Sequence, residues 1–164
     1  MKLFLPISII LLSLAVFSCR KPLGVCALGY SLPDGPGMES ELKRFEWVGM
    51  MDTVIAIVDF KVVLLNPAND CKEQPGIGAT AVIKNPGDDN YLVGAASDID
   101  GTLKMTSDPG IYNIEFYFTG YCTLILKNVV LGTGGLYEGT VSLGAQGKDQ
   151  KTFEVDFKKA IDEQ

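Results

Sequence analysis

The stretch of this 164-residue chain that most invites a chemical reading is Ser97-Asp98-Ile99-Asp100-Gly101-Thr102, where two carboxylates one residue apart precede a glycine. That spacing opens a calcium loop. Such a loop also needs further oxygen ligands at alternating positions and a bidentate Glu at its twelfth place. After Gly101 the chain supplies Thr102, Leu103, Lys104 and Met105, so the run of ligands stops. The stretch therefore reads as a tight hairpin turn, with calcium at Asp98 and Asp100 as the alternative. A second acidic pair, Asp88-Asp89, belongs by strand alternation to the opposite end of the fold and does not add to the first.

Other chemistries are removed by what is missing. The chain has no histidine, which excludes the usual Ser-His-Asp and Cys-His nucleophile systems, an imidazole base and His-ligated zinc. It contains no G-x-S-x-G elbow, phosphate-binding loop or dinucleotide fingerprint, and Leu131-Gly-Thr-Gly-Gly-Leu136 is simply a glycine loop. A net charge of −6 repels phosphate backbones, so no nucleic-acid partner is expected. No cofactor is expected either. A hydrolase using two carboxylates survives these exclusions, provided two of them converge in a cleft. Trp47, Tyr91 and Tyr117 are candidates for stacking on sugar rings, although exposed aromatics are also ordinary on sheets.

The N-terminus reads as an export address. Lys2 is followed by an apolar run from Leu3 to Phe17, then Ser18-Cys19 and the basic pair Arg20-Lys21. The run is short for a bilayer core of about 30 Å, so cleavage is the better reading than a permanent span. Val16-Phe17-Ser18-Cys19 resembles a bacterial lipobox, whose cysteine carries diacylglycerol, while ordinary signal cleavage is the alternative. With about 0.8 kcal/mol per buried CH₂, two or three acyl chains hold a domain stably on a membrane. Arg20 stands where many inner-membrane lipoproteins have Asp, so the resemblance implies placement in the outer membrane of a bacterial envelope. The expected organisation is a signal peptide over 1–18, a tether over 19–50 rich in Pro and Gly, and one domain over 51–164. Within the tether, Leu42, Phe45 and Val48 recur at helical spacing after Ser40, which suits a short helix or, equally, an opening strand.

From Thr53 the pattern has period two, broken by turn residues. Residues 53–65 are almost continuously apolar, as for a strand buried on both faces or central in a sheet. Strands are expected also over 77–84, 91–97, 102–107, 111–118, 123–131, 137–143 and 152–157. The strand over 111–118 places Tyr112, Ile114, Phe116 and Phe118 on a core face and Asn113, Glu115 and Tyr117 on a wet one. Seven or eight strands and no clear helix predict an all-β fold, a single β-sandwich.

Several of these residues resemble a family pattern. Gly78, Ala79, Thr80 and Val82, then Asp98, Asp100 and Gly101, then Gly120 and Tyr121, are similar to the carboxypeptidase-regulatory-like domain over roughly residues 53–131. The resemblance implies a transthyretin-like, immunoglobulin-like sandwich. Leu103 departs from it where an aromatic is commoner, and the excursion carrying Cys71 is longer than the pattern needs. In the family this module accompanies a catalytic domain or a receptor, so a lone copy implies no enzyme but a binding or structural module. Its partner would be an unnamed envelope protein or glycan. A carbohydrate-binding module, or an adhesin or pilus-like subunit that uses an exposed edge such as residues 152–157, is the alternative.

An exported chain meets an oxidising compartment. If strands run up and down in order, Cys71 and Cys122 fall at one end of the sandwich and are candidates for a disulfide, leaving Cys26 free if Cys19 is lipidated. Cys19→Ala is expected to release the protein from the membrane fraction or block its processing. An unchanged membrane fraction on cell fractionation would overturn the lipid-anchor reading.

Overall fold

The computed structural model describes residues 38–66, 72–146 and 152–156. The expected signal peptide, Cys19, Cys26 and Cys71 lie outside the described residues. Among the described residues there are ten strands: β1 (Glu41–Met50), β2 (Ala56–Leu65), β3 (Glu73–Pro75), β4 (Thr80–Lys84), β5 (Tyr91–Ala96), β6 (Thr102–Ser107), β7 (Gly110–Tyr117), β8 (Leu124–Leu131), β9 (Gly135–Gly144) and β10 (Phe153–Asp156). No helix occurs among the described residues.

The expectation of seven or eight strands is corrected to ten by two additions. The first is β1, in the segment read as the end of a tether. Its helical-looking spacing has a physical cause. A β-bulge between Leu42 and Arg44 lets Leu42 pair with Val141 and Phe45 with Gly139, so three residues of β1 span two of β9. The extra residue turns an i, i+3 spacing into two side chains on one sheet face. The second addition is the short β3, within the Pro- and Gly-rich excursion, which pairs with the end of β2 from Val63 to Leu65.

One sheet runs β1-β9-β2, with β6 and β3 sharing the far edge of β2; the other runs β10-β8-β7-β4-β5. The first sheet is mixed, because β2 is parallel to β9 from Ile57↔Leu136 to Leu65↔Gly144 and antiparallel to β3 and β6. In the second sheet β10 is parallel to β8 and forms one edge. The strands therefore do not simply run up and down in chain order. β2 is the centre of its sheet, as its apolar run suggested. It is buried on both faces only at Val62, Val63 and Leu64; further back, outward-facing Asp59 is half-buried and Lys61 exposed.

The two sheets close on one core. β2 contributes Ala56, Val58, Phe60, Val62 and Leu64, and facing them are Ile83, Ile114, Phe116, Leu124 and Leu126. Phe60 joins the sheets, standing edge-on to Phe116 with ring centroids 4.8 Å apart and stacking on Phe45 at 5.4 Å. Phe45 stacks in turn on Tyr137. Gly139 lies beneath this cluster, and a Cβ there would overlap the Phe60 ring. The absent side chain is what lets the ring lie flat on β9.

Gly139→Ala is therefore expected to destabilise the fold by about 1–3 kcal/mol in urea denaturation, the usual scale of overpacking. Combining it with Phe60→Leu should cost less than the sum of the two single changes, because the smaller side chain vacates the overlap. Strict additivity would show that the two positions do not share that space.

Candidate functional site

Alternation on β2 turns Asp59 and Lys61 away from the core, and strand register assembles a surface around them. Asp59 lies opposite Glu138 on β9 and Lys104 on β6; Lys61 lies opposite Thr140 and Thr102. On the far side of β9, Glu46 pairs with Glu138 and Arg44 with Thr140. The outer face thus carries one cross-strand row of Glu46, Glu138, Asp59 and Lys104 beside a second row of Arg44, Thr140, Lys61 and Thr102. Between them lies an open groove of about 280 Å³, lined by Arg44, Asp59, Lys61, Thr102, Glu138, Gly139 and Thr140.

The charges are not equivalent. Arg44 hydrogen-bonds Glu46 and stands 3.8 Å from Glu138. Its guanidinium is held above the ordinary arginine range, chiefly by the Glu46 hydrogen bond. Asp59 and Lys61 form no ion pair among the described residues, and the Thr140 hydroxyl makes no hydrogen bond there. Next along the strands, Lys43 of β1 pairs with Glu73 of β3 across the intervening β9 and β2. There Ser142 and Val63 point outward by alternation, yet are 0% and 5% exposed. This part of the face is covered, and the groove beside it is open.

Thr102 is positioned by the Asp98–Gly101 turn. Gly101 N–H donates to the Asp98 carbonyl at 3.1 Å and Gly101 has φ of 77°, a turn followed by a left-handed glycine. A Cβ at Gly101 would lie 2.5 Å from the Val62 carbonyl oxygen, so only glycine lets the turn sit against β2. The Asp98 carboxylate accepts hydrogen bonds from the backbone N–H groups of Asp100 and Thr102 and from the Thr102 hydroxyl. These bonds, the hydroxyl's first, hold the Asp98 carboxyl below its usual range. Asp98 thus works as the turn's internal acceptor. No group of three His, Cys, Asp or Glu that could hold a metal ion occurs among the described residues.

The other sequence candidates are dispersed. Trp47, 59% exposed, lies opposite Tyr137 near the end of β1. Tyr91 and Tyr117 belong to the other sheet, opposite Lys84 and Thr80 on β4, and so share its outer face. Tyr91 is 69% exposed, whereas Tyr117 is half-buried and donates to Glu115, which pairs with Lys84 at 2.7 Å. Cys122 is a free thiol, 3% exposed, and its partner in the expected bridge lies outside the described residues. Cys122 does sit beside the end of β2 from which the Cys71 excursion departs. Its N–H donates to Gly144 and Ala145 N–H donates to Leu65.

Of the groove residues, Arg44, Asp59, Lys61, Glu138 and Thr140 were not foreseen as a site. One signal was available. Asp59 and Lys61 are the only charges in the apolar run 53–65, and they are two residues apart, which is how a strand marks a wet face.

Fold and groove together define an all-β sandwich with a polar depression on one outer face. No protein-family model and no curated protein matches the chain. Among solved structures it is similar to the Bacillus anthracis TIE protein, at 16% identity and a TM-score of 0.37, over 55% of this chain and 17% of that one.

A depressed Asp98 pKa stabilises the fold above the unfolded carboxylate value of about 3.9, and that contribution is lost as pH falls through the lower folded value. The melting-temperature difference between wild type and Asp98→Asn is therefore expected to be largest near neutral pH and to vanish in acid. A difference unchanged across that range would show that the carboxylate's charge plays no part in the turn.

Proposed function

We propose that this chain is an exported, lipid-anchored protein of the bacterial envelope, held at the outer membrane through Cys19, and that its sandwich acts without catalysis as a binding module. The groove on the outer face of the first sheet is its contact surface. One observation carries this reading: Asp59 and Lys61 stand without ion pairs in the lining of a groove whose other two charges, Arg44 and Glu138, are matched within the chain. Exposed charges are ordinarily satisfied by water, and these two are set apart by lining one groove, where a single bound molecule can meet both. The leader and the lipobox-like Val16–Cys19 support the anchor, and the similarity to the carboxypeptidase-regulatory-like pattern supports a transthyretin-like module.

A carboxylate-based hydrolase fits the groove less well. Asp59 and Glu138 are register partners on strands about 4.8 Å apart, but a glycosidase acid is kept protonated by burial, and the Glu138 side chain is 54% exposed. A glycan-stacking role draws support from Tyr91 and Tyr117 on one face of the other sheet.

The two faces are separable by pull-down of the full chain from its native envelope. The double variant Asp59→Asn, Lys61→Gln is expected to lose the captured partner, while Tyr91→Ala, Tyr117→Ala retains it. The opposite pattern would move the contact surface to the second sheet.

A further inference from the structure

The groove is bipolar, and its dimensions match a particular class of molecule. At one end Asp59 and Glu138 face each other across the β2–β9 seam, and at the other Lys61 stands between the hydroxyl-bearing Thr140 and Thr102. Thr102 spends its proton on Asp98, which leaves the Lys61 ammonium and the Thr140 hydroxyl as donors at that end. Lys104, opposite Asp59 on β6, lies outside the groove lining. Arg44 enters from β1, held by Glu46.

Successive outward residues of a strand are about 7 Å apart, two residues at roughly 3.3–3.4 Å each. An extended dipeptide spans the same distance from its amino to its carboxylate end, because two residues reach at most about 7 Å. We infer that the groove binds a small zwitterion of this class, with an ammonium over Asp59 and Glu138 and a carboxylate over Lys61 and Thr140. The inference rests on the reading of this face as the contact surface. An α-amino acid separates its charged ends by about half that backbone spacing, and a longer extended peptide by more. Gly139, whose Cβ position faces the core, contributes only backbone to the lining between the two ends.

The probe is glycylglycine with free termini, titrated against the full chain and followed through the backbone amide shifts of residues 59, 61 and 140. Saturable shifts are expected. Acetylating the amino end, amidating the carboxyl end or lengthening to tetraglycine should each weaken binding about five-fold, the scale of one partly exposed ion pair. Asp59→Asn should reduce the penalty for acetylation while leaving that for amidation, and Lys61→Gln should reduce the penalty for amidation while leaving that for acetylation. Equal binding of capped and free forms, or no saturable shift, would overturn the inference. If glycylglycine fails while the Asp59→Asn, Lys61→Gln variant still loses its envelope partner, the zwitterion class falls and the contact surface stands. If that variant keeps its partner, the contact surface itself falls.

Discussion

The contact on which the rest of this structure depends is that of the Phe60 ring with the bare backbone of Gly139. It lets the Phe60 ring lie over β9, and through Phe45 and Phe116 it ties β1 and the second sheet to the same point. Core and surface are coupled there, since β2 and β9 alternate. The residues flanking the Phe60–Gly139 contact are Asp59 and Lys61 on one strand and Glu138 and Thr140 on the other. The register that lays the Phe60 ring on Gly139 therefore also sets which charges meet outside.

Two devices divide the outer face into a closed part and an open one. Lys43 and Glu73 pair across β9 and β2, at the level where outward Ser142 and Val63 are buried. The ion pair is solvent-facing and adds little stability, but the stems of the two side chains lie over apolar surface as long charged residues do. A turn's length away, the Asp98–Gly101 corner docks on Val62 and carries Thr102 to the groove wall. Of the acidic pair that suggests a metal loop in the sequence, Asp98 is thus a piece of architecture beside the groove, its carboxylate holding the turn.

The strands legible from period two were those whose alternation is uninterrupted: 102–107 matches β6 throughout, and Tyr112, Ile114 and Phe116 fill the core as read. β1 was ambiguous because its bulges break the period at Lys43 and Val48, so Leu42 and Phe45 mimic a helix. β3 was hidden by its brevity and by Pro75, and a strand that short is held by its partner rather than by its own pattern. The groove was illegible for a different reason. Asp59 and Glu138 are neighbours only through a parallel register between strands far apart in sequence, and nothing local to either residue encodes that pairing.

That same parallel pairing has a consequence in time. β2 ends at Leu65, whereas β9 does not begin until Gly135, and the edge of β2 that β9 covers has no other occupant. Pairings between such distant segments form slowly, because the loop must close before any contact offsets its entropy. A chain that emerges from its N-terminus during synthesis exposes the most apolar strand of the fold, with one edge open, until nearly all of the domain has followed. The interval between the arrival of residue 65 and that of residue 144 is when this protein is most exposed to aggregation, and when a holding chaperone would matter most.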